Sequence, residues 1–243
     1  MRTVIILLSA AIWFSTGCKD KPKAAPATGS GSQKVATGSG SAGSAQPKQN
    51  ELILPPLTNT PPIKTTKPLD TAKSKEVTEK LEFGGFTKDI RRADDNGIDV
   101  RYKTTERPRI AVTINATKCF DCLPMELEKW TPKADSLRVL VGPELQNLPD
   151  TTFDFGATDV GGTTVMFSYH VGYSIKPGET GTGGAYANAY ALYFNDGVNM
   201  IRVVAEYKDD VPATREDMLN LVPREDLERV AKAFFDAYVH AWG

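Results

Sequence analysis

The alternation of apolar and polar positions is strongest in the second half of the chain. Val165, Phe167, Tyr169, Val171 and Tyr173 occupy every second place, with Met166, Ser168, His170 and Gly172 between them. A period of two is the signature of a β-strand, whose side chains point to opposite faces in turn. A further strand is expected from Ala185 to Phe194, returning through Asn195-Asp196-Gly197 into Val198 to Tyr207. A two-residue turn at Asp196-Gly197 would set Tyr190 opposite Val203, Leu192 opposite Ile201 and Phe194 opposite Asn199. The reverse face of this pair carries Ala187, Ala189 and Ala191 against Met200 and Val204. A sheet apolar on both faces needs cover on both. Upstream, residues 81–90 and 98–102 read as strands joined through Ala93-Asp94-Asp95-Asn96-Gly97, and Ile110, Val112 and Ile114 mark another.

After residue 222 the period changes. Leu227, Val230, Ala231, Phe234, Ala237, Tyr238 and Trp242 recur at helical spacing, Pro223 suits the first turn, and Glu225 and Asp226 suit the positive end of the dipole. Thr214 and Asp217 form a capping box for a shorter helix before it. Two short helices are expected earlier, one from Pro124 to Trp130 and one capped by Thr131, with Pro132 and Asp135, that stops at Gly142-Pro143. The fold class is therefore α+β: an antiparallel sheet covered by helices, with a long C-terminal helix packed on it, in one globular domain over residues 81–243.

Composition changes sharply before that domain. Residues 19–80 are rich in Ala, Gly, Ser, Thr, Pro and Lys, have no aromatic residue, and repeat Ala-Thr-Gly-Ser-Gly-Ser at Ala27 and Ala36. Such a segment buries too little apolar surface to offset its backbone entropy. It reads as a disordered tether with a root-mean-square reach of about 40 Å, interrupted by an apolar island at Leu52, Ile53 and Leu54. The tether holds ten lysines against five acids, a net of +5, whereas residues 81–243 hold eighteen basic and twenty-five acidic residues, a net of −7. An acidic domain excludes nucleic acid as the expected partner.

Ahead of the tether, Arg2 and the apolar run Val4 to Phe14 have secretory-signal proportions and are too short to span a bilayer as a helix. Ser15-Thr16-Gly17-Cys18 resembles the bacterial lipobox, with Gly17 the small residue required before the cysteine and Ser15 standing where Leu is usual. The resemblance implies a signal peptide over residues 1–18, lipidation of Cys18, and acyl chains that together make a stable membrane anchor. Lys19 after the cysteine implies sorting to the outer membrane of the cell envelope. The element order of residues 81–243, with the stretch Ala189 to Gly197, resembles the PsbP-like α/β sandwich and the tethered lipoproteins of myxobacteria. That likeness implies an assembly factor or binding module rather than an enzyme.

Candidate chemistry is sparse. Cys119 and Cys122 are the cysteines left once Cys18 carries lipid, and in an oxidising envelope they form a local disulfide; a redox dithiol and a metal pair are the alternatives. With two histidines, His170 and His240, and neither at zinc spacing, no metal or cofactor site is expected. No Gly-x-Ser-x-Gly or His-Glu-x-x-His motif supports hydrolysis, so no catalytic residue is assigned. The glycine-rich stretch from Gly178 to Gly184 reads as a hairpin loop, and Asp150, Asp154 and Asp159 as solvated acids. Tyr169, Tyr173 and Tyr190 are the candidate ligand-binding residues, their phenols offering an apolar body and a polar tip. The expected function is that of an envelope-anchored, non-enzymatic binding or assembly module whose partner is an envelope protein, glycan or lipid. A thiol–disulfide oxidoreductase using Cys119 and Cys122, and a small-molecule or lipid carrier, are the alternatives.

Overall fold

The computed structural model describes residues 52–60, 65–120, 122–140, 152–174, 185–207 and 214–242. The signal segment, Cys18, most of the tether and the Gly178 to Gly184 loop lie outside them. In chain order the elements are α1 (Thr71–Lys80), β1 (Phe86–Asp94), β2 (Gly97–Thr104), β3 (Ile110–Lys118), α2 (Leu127–Leu140), β4 (Thr152–Val160), β5 (Thr163–Ser174), β6 (Ala185–Asn195), β7 (Asn199–Tyr207), α3 (Arg215–Leu221) and α4 (Arg224–Ala241). The seven strands form one antiparallel sheet in the order β1-β2-β3-β7-β6-β5-β4. Two meanders, β1 to β3 and β4 to β7, thus meet at the central β3–β7 pair, and the connection through α2 carries the chain from the centre to the far edge. The α+β class and the C-terminal helix on the sheet are as expected.

One face of the sheet holds the main core. Ile98, Val100 and Tyr102 of β2, Val112 and Ile114 of β3, Leu192 of β6 and Ile201 and Val203 of β7 are fully buried against Leu227, Val230, Phe234 and Tyr238 of α4. Phe83 stacks on Phe234 at 3.8 Å between ring centroids, and the Tyr102 and Tyr238 hydroxyls share a hydrogen bond of 2.7 Å deep in the core. On the opposite face α2 sets Trp130 and Ala134 against Met166, Ala191 and Tyr193. Only the β4–β6 half of that face is apolar. Toward β1 it carries Asp99, Arg101, Thr113, Asn115, Arg202 and Glu206, with Arg101 3.7 Å from Glu206 across β3. Cover on both faces is thus needed over part of the sheet, not all of it.

Three local expectations are corrected. The β6–β7 pair sets Tyr190 opposite Ala205, Leu192 opposite Val203 and Phe194 opposite Ile201, a slip of two residues from the predicted register. The cause is a turn displaced by one residue: the Asp196 amide donates to the Asn199 carbonyl at 3.2 Å across Gly197-Val198, and the Asp196 side chain accepts from the Val198 and Asn199 amides at 2.9 and 2.8 Å. A slip of two preserves both faces, because the strand period is two. The two short helices expected around Pro124 and Thr131 are one, α2, with Pro132 inside it; the Thr131 hydroxyl donates to the Leu127 carbonyl at 3.0 Å.

The third correction moves the domain boundary. Residues 71–80, assigned to the tether, form α1, capped by the Asp70 side chain, which accepts from the Lys73 amide at 2.8 Å. Leu69 and Val77 are buried in the main core, and Ser74 donates to the Asp94 carbonyl at 2.9 Å. The structured part of the chain includes residues 52–60 as well, since Leu52 and Leu54 pack against the same core.

Candidate functional site

Residues 52–60 run along α4 as an extended strap, Leu-Ile-Leu-Pro-Pro-Leu-Thr-Asn-Thr, in which Pro55 and Pro56 favour the extended backbone. Its far end is held by α4. The Thr58 amide donates to Asp236 Oδ2 at 2.7 Å, and His240 Nε2 bonds the Thr60 carbonyl at 2.6 Å. Asp236 is 4% exposed, so its carboxylate is committed to this contact. A second fastening holds residues 65–69 on the β6–β7 turn: Asn199 Oδ1 accepts the Leu69 amide at 2.9 Å, and Asn199 Nδ2 donates to the Thr65 hydroxyl and the Lys67 carbonyl. Burial alone would push the Asp196 carboxyl up, but hydrogen bonds from the Asn199 and Val198 amides and from Thr65 hold it below its usual range.

The near end of the strap walls a cleft. Leu52 and Ile53, the Gly84-Gly85 turn, the β2–β3 loop at Thr104 to Pro108, and the α3–α4 elbow at Leu221 and Val222 enclose about 510 Å³. That volume lies within the range of ligand sites. Its apolar surface comes from Leu52, Ile110, Leu221 and Val222, and its rim carries Glu106, Arg107, Asp226 and Arg229. Ile53 is 81% and Leu221 43% exposed at its mouth. A second cleft of about 510 Å³ lies across the strap, between Leu54, Pro55 and Leu57 and the Glu225, Glu228 and Lys232 side of α4.

Of the candidate tyrosines, Tyr169 and Tyr190 do not line an open groove. Tyr169 and Tyr190 are 4% and 1% exposed, and the Arg224 guanidinium lies over them, 4.7 and 5.9 Å from their ring centroids, while pairing with Asp154 at 2.7 Å. Desolvation pushes the Tyr169 hydroxyl up to about 12 even against the positive Arg224 and Arg215, and pushes Tyr190 up as well. Their role is packing under the N-terminus of α4. The Tyr173 side chain lies outside the described residues, as do Asp150 and Asp121. Asp154 is thus an ion-pair partner, and Asp159 accepts from the Gly162 amide at 3.1 Å.

Cys119 and Cys122 are brought to disulfide distance, with Cα atoms 5.2 Å apart, at the end of β3. His170 sits half-buried on the α2 face, its proton affinity lowered by desolvation and its Nε2 without a hydrogen-bond partner. Among the described residues no cluster of three or more His, Cys, Asp or Glu could hold a metal ion, and no helix is long and apolar enough to cross a membrane. The cleft itself was not legible in the sequence, because its walls come from segments about 170 residues apart; the apolar island at 52–54 was its one local signal. No protein family, curated protein or solved structure matches this chain. The lipobox and PsbP-like resemblances therefore rest on the sequence features alone.

Proposed function

We propose that the chain is a lipoprotein anchored through Cys18 to the cell envelope, in its outer membrane, and that its domain binds an extended apolar segment of an envelope protein without catalysis. One observation carries the choice of ligand. The surface of α4 already accommodates an extended, proline-containing apolar peptide, the strap, and the cleft at the near end of that strap is left unfilled with Ile53 and Leu221 at its mouth. Apolar walls supply affinity and the mixed-charge rim orients the ligand.

The test is a photoreactive amino acid at Leu221 in the full chain expressed in its own cells, with a matched probe at Thr87 on the exposed edge strand. A discrete protein adduct from position 221, absent from 87, is the expected result; equal labelling from both positions refutes the cleft. Palmitate labelling that disappears in Cys18→Ser tests the anchor separately. A second reading, thiol–disulfide exchange through Cys119 and Cys122, draws support from Phe120, which is 92% exposed beside the pair and offers an apolar contact. An adduct from 221 that persists in the Cys119→Ala/Cys122→Ala variant counts against it.

A further inference from the structure

We propose that His240 is a proton-gated clasp on the strap, closed when its ring carries two protons and loosened when it carries one. Both ring nitrogens face carbonyl oxygens: Nδ1 lies 2.8 Å from the Asp236 carbonyl and Nε2 2.6 Å from the Thr60 carbonyl. A carbonyl oxygen only accepts, so each contact needs an N–H, and a neutral imidazole has one. The doubly protonated ring is the form that satisfies both contacts. Removing a proton leaves a lone pair pointed at a carbonyl oxygen, which turns one of the two bonds into a repulsion.

The surroundings fit a cation. On α4 the Asp236 carboxylate lies 3.5 Å from Nδ1, and its Oδ1 has no hydrogen-bond partner. The ring occupies the last turn of the helix, where the unpaired carbonyls favour positive charge. Among the described residues of the strap, the groups at this end are the Thr60 carbonyl and the Thr58 amide, the latter bound to Asp236 Oδ2. From the β4–β5 turn, Gly161 approaches Asp236 and carries no titratable group, and the nearby Asp159 carboxylate is taken by the Gly162 amide. The clasp matters for function because the same strap, through Leu52 and Ile53, forms a wall of the cleft; that consequence rests on the binding reading above, whereas the clasp itself does not.

Hydrogen exchange on the full chain, corrected for the intrinsic pH dependence of exchange, tests it without any ligand. Protection of the amides in 52–60 is expected to be about tenfold higher at pH 5.5 than at pH 8.5, the effect of one hydrogen bond, with no such rise in the β5 and β7 amides. His240→Phe is expected to abolish the pH step and leave the strap weakly protected throughout. A second measurement needs no variant: the ¹⁵N signals of the His240 ring at pH 5.5 are expected to show both nitrogens protonated. Equal strap protection at the two pH values, or a singly protonated ring while the strap is protected, overturns the clasp. If the clasp holds and position 221 still captures nothing, the binding reading fails alone.

Discussion

Gly161→Ala interrogates the strap through a single methyl group. Gly161 and Gly162 form the two-residue β4–β5 turn with φ of +58° and +82°, the left-handed conformations that a tight hairpin demands. A side chain at either position costs about 1–2 kcal/mol of backbone strain. Space separates the two. A Cβ at Gly162 meets nothing within 4 Å, whereas a Cβ at Gly161 falls 2.0 Å from the Thr58 carbonyl oxygen and 2.6 Å from Asp236 Oδ1. One of these neighbours is backbone and the other belongs to a buried side chain, so the strap has to lift.

Lifting the strap breaks the 2.7 Å bond from the Thr58 amide to Asp236. A hydrogen bond to a buried charge contributes about 1.5–3 kcal/mol. Gly161→Ala is therefore expected to destabilise the domain by about 2.5–5 kcal/mol and Gly162→Ala by about 1–2 kcal/mol, the difference isolating the strap. Urea titration of both variants gives the two values, and hydrogen exchange shows where the loss falls. Equal destabilisation, or a large loss at Gly161→Ala with strap protection intact, would refute the reasoning.

Two pH effects follow from buried rings. His170 has a folded-state proton affinity below its unfolded value, so only the unfolded chain gains a proton just below about pH 6.5. Stability should fall with acid from that point, and His170→Gln should flatten the fall in urea titrations between pH 7 and 5. Tyr102 is pushed up to about 12 by desolvation, and Tyr238 is pushed up by the same cause. Their contribution is complete below about pH 10, where the unfolded phenols ionise, and is lost as pH rises through 12. Tyr102→Phe/Tyr238→Phe should therefore lose less stability than the parent chain between pH 9.5 and 11; an unchanged slope would count against a buried phenol pair.

What local pattern can encode was readable, and what depends on distant partners was not. The period of two in β5, β6 and β7 and the helical spacing in α4 each reflect a neighbouring surface that runs the length of the element. The register of β6 on β7 escaped because it turns on where the Asp196 side chain binds, and both candidate turns keep the same face inward. The strap and α1 escaped for another reason. Thr58, Thr65 and Leu69 are held through backbone amides by Asp236, Asp196 and Asn199, partners 178, 131 and 130 residues away, and an amide carries no trace of its partner in the sequence. The helix α1 buries Ser74 and Thr78 beside Val77, so its inner face looks like linker. The tyrosines read as candidate ligand contacts, but Tyr169 and Tyr190 are roofed by Arg224, 55 residues beyond Tyr169.

The strap and the cleft share residues, so their equilibria are linked. If a ligand needs the wall formed by Leu52 and Ile53, its apparent dissociation constant rises by the inverse of the fraction of molecules with the strap docked. Gly162→Ala, which leaves the strap in place, should then bind as the parent does. Gly161→Ala should weaken capture at position 221 by the factor by which it lowers the fraction of molecules with the strap docked. A variant that frees the strap yet improves capture would mean the opposite arrangement, in which the strap competes with the ligand for α4; the sign of that one change decides between wall and plug.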